Sequence, residues 1–215
     1  MSGVNMEFAH DTQVLLAAAA ALVNTRRADP DPLDDVPGFA AWLAEQPYSG
    51  RRAGSDDERR AVRVLRERLA GLWPAHGEDD GPDRDGTVTL VNAILAETDA
   101  RPHLARHDGW DWHLHVTPQD APLADRMGAE IAMSVVDLVR RDDLSRLRRC
   151  AAEDCDAVLV DLSRNRSKRF CDTGNCANRA HVAAYRARRA TRSSERPSSG
   201  AGGPGRVSSG PSGAR

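Results

Sequence analysis

A chain of 215 residues that is 40% hydrophobic, with only three Phe, two Tyr and four Trp, favours a modest helical core and disfavours a large sheet sandwich. The net charge of −2 hides a division along the chain. Residues 1–137 hold 13 Arg and 24 acidic residues, whereas residues 138–215 hold 17 basic and 8 acidic residues. A basic C-terminal part suggests an anionic partner, although a charged run is also common on a solvated surface that has no partner.

The first element that the sequence predicts is a helix ending near Asn24. Its apolar, Ala-rich stretch from Val14 to Val23 is ten residues long, which is too short to span a bilayer, since that takes about 20 residues. No Lys or Arg precedes this stretch, whereas Glu7 and Asp11 are acidic, so it lacks the pattern of a signal peptide. We therefore expect a buried helix in a cytoplasmic protein that does not engage a membrane.

Apolar residues at helical spacing predict four further helices before the cysteines. Ser55 is the expected N-cap of the clearest one, because acidic residues follow it and suit the positive end of a helix dipole. The buried stripe of that helix is expected to be Val62, Leu65, Leu69 and Leu72. The predicted helices cover residues 38–45, a segment that starts after Ser55, residues 88–95 and residues 122–140.

Residues 110–116 alternate apolar and polar side chains with the period of a half-buried strand. Residues 103–105 are the expected partner strand, through a turn between the two segments. The alternation puts Trp112 on the apolar face, and it puts His113 and His115 together on the other face. The two histidines could bind a metal or a ligand, but histidines that simply face solvent are the more common case.

Four cysteines, the only ones in the chain, form two pairs separated by fifteen residues: Cys150-x4-Cys155 and Cys171-x4-Cys176. Tetrahedral zinc takes four such ligands at about 2.3 Å, and two close pairs with a short spacer can supply them. Four buried thiols without a metal, or a redox or disulfide function, are the alternatives. Zinc is favoured over both, because the pairs lack the Cys-x-x-Cys spacing of redox sites and a reducing compartment favours metal over disulfides.

The residues around the cysteines predict a small basic module. Residues 156–162 read as a strand, residues 163–167 as a polar turn and residues 168–170 as the returning segment, so that the two cysteine pairs flank a hairpin. So small a unit lacks a core of its own, and metal binding would supply its folding free energy.

In the helix after Cys176, alanines gather on one side and basic residues on the other, the form of a helix that contacts phosphates or enters a groove. An ordinary Arg-rich, solvated helix is the alternative reading. The basic side comprises Arg179, His181, Tyr185, Arg186, Arg188, Arg189 and Arg192.

The segment from Arg149 to Ala180 resembles the CGNR zinc finger, which is named for a Cys-Gly-Asn-Arg run at its fourth cysteine. Here the run is Cys176-Ala177-Asn178-Arg179, with Ala177 in place of the family glycine, and the stretch from Asp161 to Cys171 also resembles the family pattern. The N-terminal part resembles the ABATE domain that usually accompanies this finger. That second resemblance rests on residues 22–25, residues 39–43 and the Arg-rich helix from Asp56, and the two together cover roughly residues 10–190.

The resemblance implies a bacterial member of a family described as putative stress-induced transcription regulators, with Zn2+ as cofactor and DNA as partner. For the N-terminal domain it leaves a sensor or ligand-binding role open, with a small molecule or a protein as the ligand. It implies no oligomeric state. Ala177 starts a helix, where alanine is acceptable, so the zinc site is expected to be kept.

We therefore expect a mainly α protein with a small β-hairpin. Residues 1–140 would form a helical ABATE-like domain, residues 141–192 a four-cysteine zinc finger and residues 193–215 a disordered tail. The preferred function is DNA binding for transcription regulation, and the alternative is a zinc-stabilised module whose basic face binds an acidic protein. We do not expect an enzyme, because four thiolates leave zinc no open position for water. The expected zinc ligands are Cys150, Cys155, Cys171 and Cys176, and the expected DNA contacts are Arg164, Arg166, Lys168, Arg169, Asn178, Arg179, Arg186 and Arg189.

Overall fold

The computed structural model describes residues 8–75, 81–106 and 111–194. The described residues up to Ala177 form one compact unit, and those from Asn178 onward belong to a second. The fold is mainly helical with two small antiparallel sheets of two strands each, which confirms the predicted fold class. Most of the predicted tail, residues 195–215, lies outside the described residues.

Within the described residues there are six α-helices and four short strands. The predicted helices are all present, and Ser55 caps its helix as expected, with its Oγ accepting a hydrogen bond from the backbone N–H of Glu58 at 3.2 Å. No helix of this part of the chain is long and apolar enough to cross a bilayer. The helices are α1 (His10–Asn24), α2 (Val36–Ala44), α3 (Asp56–Leu69), α4 (Arg84–Glu97), α5 (Leu123–Arg140) and α6 (Cys176–Ser194), and the strands are β1 (His103–Ala105), β2 (His113–His115), β3 (Leu147–Arg149) and β4 (Val158–Val160).

Helix α5 is the centre of the main core, because it packs against α1, α3 and α4. Gly128 of α5 permits this close packing: a Cβ atom there would lie 3.2 Å from a methyl carbon of Leu65 in α3 and 3.3 Å from a methyl carbon of Ile94 in α4. The predicted stripe of α3 is buried along its whole length. The same core continues into the region of the cysteines, since it includes Leu147 of β3 and Val158 of β4.

Strands β1 and β2 pair as predicted, with His103 opposite His115 and Ala105 opposite His113; the turn between them includes residues 107–110, which lie outside the described residues. The expectation that the histidines of β2 face solvent is wrong for His115, which is only 8% exposed, whereas Trp112 is 63% exposed. The alternation therefore does not separate a buried apolar side from an exposed histidine side, because His115 is buried on one side and Val116, 1% exposed, on the other.

The second hairpin differs from the predicted one. The predicted strand is present as β4, but its partner is β3, with Leu147 opposite Val160 and Arg149 opposite Val158. Residues 168–170 do not form a returning strand; one hydrogen bond, from the N–H of Ala151 to the carbonyl of Arg169 at 2.8 Å, ties that segment to the hairpin. The first cysteine pair therefore lies in the turn of the hairpin and not before it.

The outer edge of β4 is closed by a side chain of α1. The amide of Asn24 donates to the carbonyl of Val158 at 2.8 Å and accepts from its N–H at 2.9 Å, which satisfies a strand edge that would otherwise be open. On the next residue, the carbonyl of Leu159 accepts a hydrogen bond from the indole N–H of Trp73 at 2.9 Å. Three-residue strands have little stability by themselves, so these contacts fix β4 to the helical core.

Replacing Asn24 with alanine is expected to lower the free energy of unfolding by about 2–3 kcal/mol, because it leaves a buried N–H and a buried carbonyl of β4 without partners. Asn92→Ala is the matched control, since Asn92 is exposed on α4 and alanine favours a helix. Denaturant unfolding of both variants measures the difference. Equal stability of the two variants would contradict the assigned role of Asn24.

Candidate metal centre and basic loop

The four cysteines come from three parts of the chain and converge on one point. Cys150 follows β3, Cys155 precedes β4, Cys171 ends the loop after β4 and Cys176 is the first residue of α6. All four side chains are buried, and their Sγ atoms lie within 4.8 Å of one another. Helix α6 thus begins at the metal centre.

The distances between the sulfur atoms fit a tetrahedral ion. The Sγ atom of Cys171 lies 3.8 Å from that of Cys155 and 3.7 Å from that of Cys176. Four ligands at about 2.3 Å around a tetrahedral zinc stand about 3.8 Å apart, whereas a disulfide brings two sulfurs to about 2.05 Å. The four thiols are free cysteines, and their spacing is that of a metal site.

Hydrogen bonds from the backbone and from Thr173 support the sulfur atoms. Cys150 receives bonds from the N–H groups of Ala152 and Cys171. Burial alone raises the pKa of the Cys171 thiol, but hydrogen bonds with the side chain of Thr173, the N–H of Gly174 and the neighbouring thiols together outweigh it and lower that pKa to about 7. Such bonds orient thiolates and stabilise their charge.

Burial and the neighbouring thiols raise the pKa of Cys155 to about 12. Four sulfurs at these distances therefore cannot all ionise unless a cation balances them, and a bound cation deprotonates its thiol ligands. The site thus fits a soft divalent ion held by four thiolates.

A buried carboxylate shapes the segment between the two cysteine pairs, which we call the basic loop (residues 163–170). Asp161 is fully buried and accepts hydrogen bonds from the backbone N–H of Ser163 at 3.0 Å and of Lys168 at 2.9 Å. Arg148 of β3 reaches the same carboxylate at 3.4 Å and also donates to the carbonyls of Arg166 and Lys168, each at 3.3 Å. The path of the loop is therefore fixed from inside.

The predicted basic residues of the loop divide into two groups. Arg166 pairs with Asp143, and Lys168 pairs with Asp172 at 2.6 Å. The side chains of Arg164 and Arg169 are exposed, and neither makes an ion pair within the part of the chain that the structure describes. These two arginines are therefore the loop cations most open to an outside anion.

The predicted residues of α6 are also at the surface. Every side chain from His181 to Arg189 is exposed, as are Asn178 and Arg179, and the guanidinium of Arg189 lies 5.9 Å from the ring centre of Tyr185. The alanine side of α6 is exposed as well, at Ala183, Ala184 and Ala187. From Asn178 onward the helix belongs to the second unit, and it presents its arginines to solvent.

Sequence reasoning missed the arginines that brace the loop. Arg146 is 6% exposed; its guanidinium donates to the carboxylate of Asp143 at 3.0 Å and to the carbonyls of Asp161 at 2.8 Å and Ser163 at 3.2 Å. Arg148 lies two residues later, on β3, and donates to the carbonyls of Arg166 and Lys168 in the distal half of the loop. The sequence signal that could have found them is the spacing of Arg146 and Arg148, two residues apart before Cys150. This spacing is typical of an extended segment that carries arginines on one face.

Two family models match this chain. Residues 16–142 match ABATE, described as "Putative stress-induced transcription regulator", and residues 146–189 match the CGNR zinc finger. Both matches confirm the resemblance inferred from the sequence. No curated protein is significantly similar to the chain. The finger match and the cluster of four sulfurs together identify zinc as the cofactor.

Removing zinc with a chelator is expected to release β4 from the core and to shift the fluorescence of Trp73 to longer wavelength, because its indole then loses the carbonyl of Leu159 and meets water. The binding free energy of zinc in small fingers, on the order of 10–16 kcal/mol, is also folding free energy. Emission spectra before and after chelation measure the shift, and the Trp73→Phe variant isolates it from the other tryptophans. An unchanged spectrum after complete loss of zinc, checked by elemental analysis, would count against zinc as the support of β4.

Proposed function

This chain belongs to the ABATE family, and we propose that it is a transcription regulator that binds DNA through its zinc finger. The observation that carries the proposal is the pair of exposed arginines, Arg164 and Arg169, on a loop whose shape is fixed by the buried Asp161 beside the metal centre. Guanidinium groups suit bidentate contacts to phosphate. A rigid loop that already holds them in place loses little entropy when it binds.

We assign Cys150, Cys155, Cys171 and Cys176 as the zinc ligands. Four thiolates close the coordination sphere, so the ion has a structural role and leaves no position for a reacting water. The matched families are a regulator family and a zinc-finger family, not enzyme families, and this supports a function without catalysis. The zinc connects the hairpin, the basic loop and the start of α6.

Other cations are further candidates for contacts to DNA, in the loop and, separately, on α6. Arg166 and Lys168 are held by Asp143 and Asp172, so a phosphate would have to compete with those carboxylates for them. On α6, Arg179, Arg186 and Arg189 are exposed and suit a helix that lies along a phosphate backbone or in a groove. Asn178, near the start of the same helix, would either contact a base or brace the backbone of the finger. Such a regulator would work beside the chromosome, in the bacterial cytoplasm, and the ABATE domain would receive the signal.

Binding of full-length, zinc-loaded protein to duplex DNA is expected to weaken steeply with salt, with log affinity falling by about 0.9 per unit of log salt concentration for each phosphate contacted. The Arg164→Gln, Arg169→Gln double variant should bind more weakly and lower that slope by about 0.9 for each arginine that contacts phosphate. Arg63→Gln, an exposed arginine of α3, is the control and should keep the wild-type slope. Fluorescence anisotropy of a labelled duplex at several salt concentrations gives all three slopes.

Two outcomes would overturn DNA binding as the function. One is the absence of salt-dependent binding by the wild-type protein, and the other is an equal loss in the double variant and in the control. If the protein binds no DNA but the same arginines govern capture of an acidic peptide, the alternative of a protein-interaction module is supported instead. The intact chain is needed for each test, because Asn24 and Trp73 of the N-terminal region hold β4 in place.

A further inference from the structure

The β1–β2 hairpin of the ABATE domain brings histidines to one face, far along the chain from the cysteines. His113 and His115 lie two residues apart on β2, and the ring of His103 stacks on that of His115 with 5.9 Å between ring centres. His113 and His115 also line a cavity of about 360 Å³, together with Tyr48 and Glu130. This cavity is separate from the zinc site and has no part in the proposed DNA binding.

The partners of the two rings indicate which of their nitrogens carry hydrogen. The Nδ1 atom of His113 lies 2.8 Å from the carbonyl oxygen of Asp111, which can only accept, so this Nδ1 is protonated. The Nδ1 atom of His115 lies 3.4 Å from a carboxylate oxygen of Glu130, which favours a proton there as well. In the neutral form of each ring, the Nε2 atom therefore carries a lone pair.

These two Nε2 atoms lie only 3.2 Å apart. Two nitrogen lone pairs at this distance repel each other unless a cation lies between them. The separation also matches metal coordination: with each nitrogen about 2.0–2.1 Å from an ion, a distance of 3.2 Å corresponds to an angle of about 100° at the metal, close to the tetrahedral value of about 109°.

We propose that His113 and His115 bind a divalent transition-metal ion through their Nε2 atoms, at the wall of this cavity. Imidazole nitrogen is a preferred ligand of zinc, nickel, cobalt and copper. Metal-binding histidines almost always donate their other N–H to a carboxylate or a backbone carbonyl, and here Glu130 and the carbonyl of Asp111 take these two positions. With these two histidines as its ligands among the described residues, the ion suits water or a small oxygen-bearing ligand at a further coordination position.

Tyr48 supports an oxygen ligand in the cavity. Its side chain is 3% exposed, and within the described residues its hydroxyl is buried without a hydrogen-bond partner. Burial, and behind it the charge of Glu130, raises the pKa of Tyr48 well above its usual range, so the phenol keeps its proton and can donate it. A water or carboxylate oxygen on the metal would satisfy this orphan donor.

Cobalt(II) is a suitable probe, because elemental analysis counts it separately from the zinc of the finger. Full-length, zinc-loaded wild-type protein dialysed against cobalt should bind one equivalent without losing zinc. Its absorption spectrum should lack the intense sulfur-to-cobalt bands of a cysteine site. Absence of bound cobalt would mean that the two rings share a proton instead, and exchange of cobalt for zinc in the finger would place the ion elsewhere; either result overturns the proposal.

Variants of the site give a second test that keeps the finger as an internal check on folding. His113→Asn and His115→Asn should each abolish the cobalt equivalent while the zinc content stays unchanged. Glu130→Gln should weaken cobalt binding by about 10–100-fold, the usual effect of losing a carboxylate behind a ligating histidine. His181→Asn is the matched control, an exposed histidine of α6, and should bind as wild type does. Wild-type affinity in His113→Asn, a partly exposed position that tolerates substitution more readily than His115, would overturn the proposal.

Discussion

The structure of the finger depends on one interaction: four buried sulfur atoms bind the same cation. Their spacing, with 3.7 Å and 3.8 Å between the measured pairs, suits thiolates around an ion and gives no covalent cross-link. Three segments that have little core of their own meet there: the turn of the β3–β4 hairpin, the end of the basic loop and the first turn of α6. Without the cation the charges of the thiolates would be unbalanced, and these segments would lose their common anchor.

The hairpin of the zinc finger is not structurally independent, because it packs into the same core as the helices of the ABATE domain. Asn24 of α1 closes the outer edge of β4, Trp73 donates to the next carbonyl of the same strand, and Arg27 pairs with Asp156 at 2.6 Å. Leu147 and Val158 belong to the same apolar cluster as α5. A displacement of α1 would therefore also move β4, which ends at the residue directly before Asp161 and the loop that this carboxylate shapes.

The parts of this molecule that could be predicted from sequence are those with a local signal. Helical spacing of Val62, Leu65 and Leu69 fixed the buried face of α3, and the two cysteine pairs indicated the metal. The partner of β4 could not be predicted, because β3 has one apolar residue, Leu147, and its pairing is decided by zinc and by the core. The expectation that the histidines of β2 face solvent failed for a related reason, because alternation gives the period of a strand but not which of its side chains are buried.

We propose that DNA binds to the zinc-anchored basic residues. Hydrogen–deuterium exchange of full-length, zinc-loaded protein, with and without duplex DNA, tests it most directly because it reports every segment at once. Slower exchange on DNA binding is predicted in residues 161–171 and in the first turns of α6, while α3 and α4 stay unchanged. Protection confined to α3 and α4, with none in the basic loop, would contradict the claim.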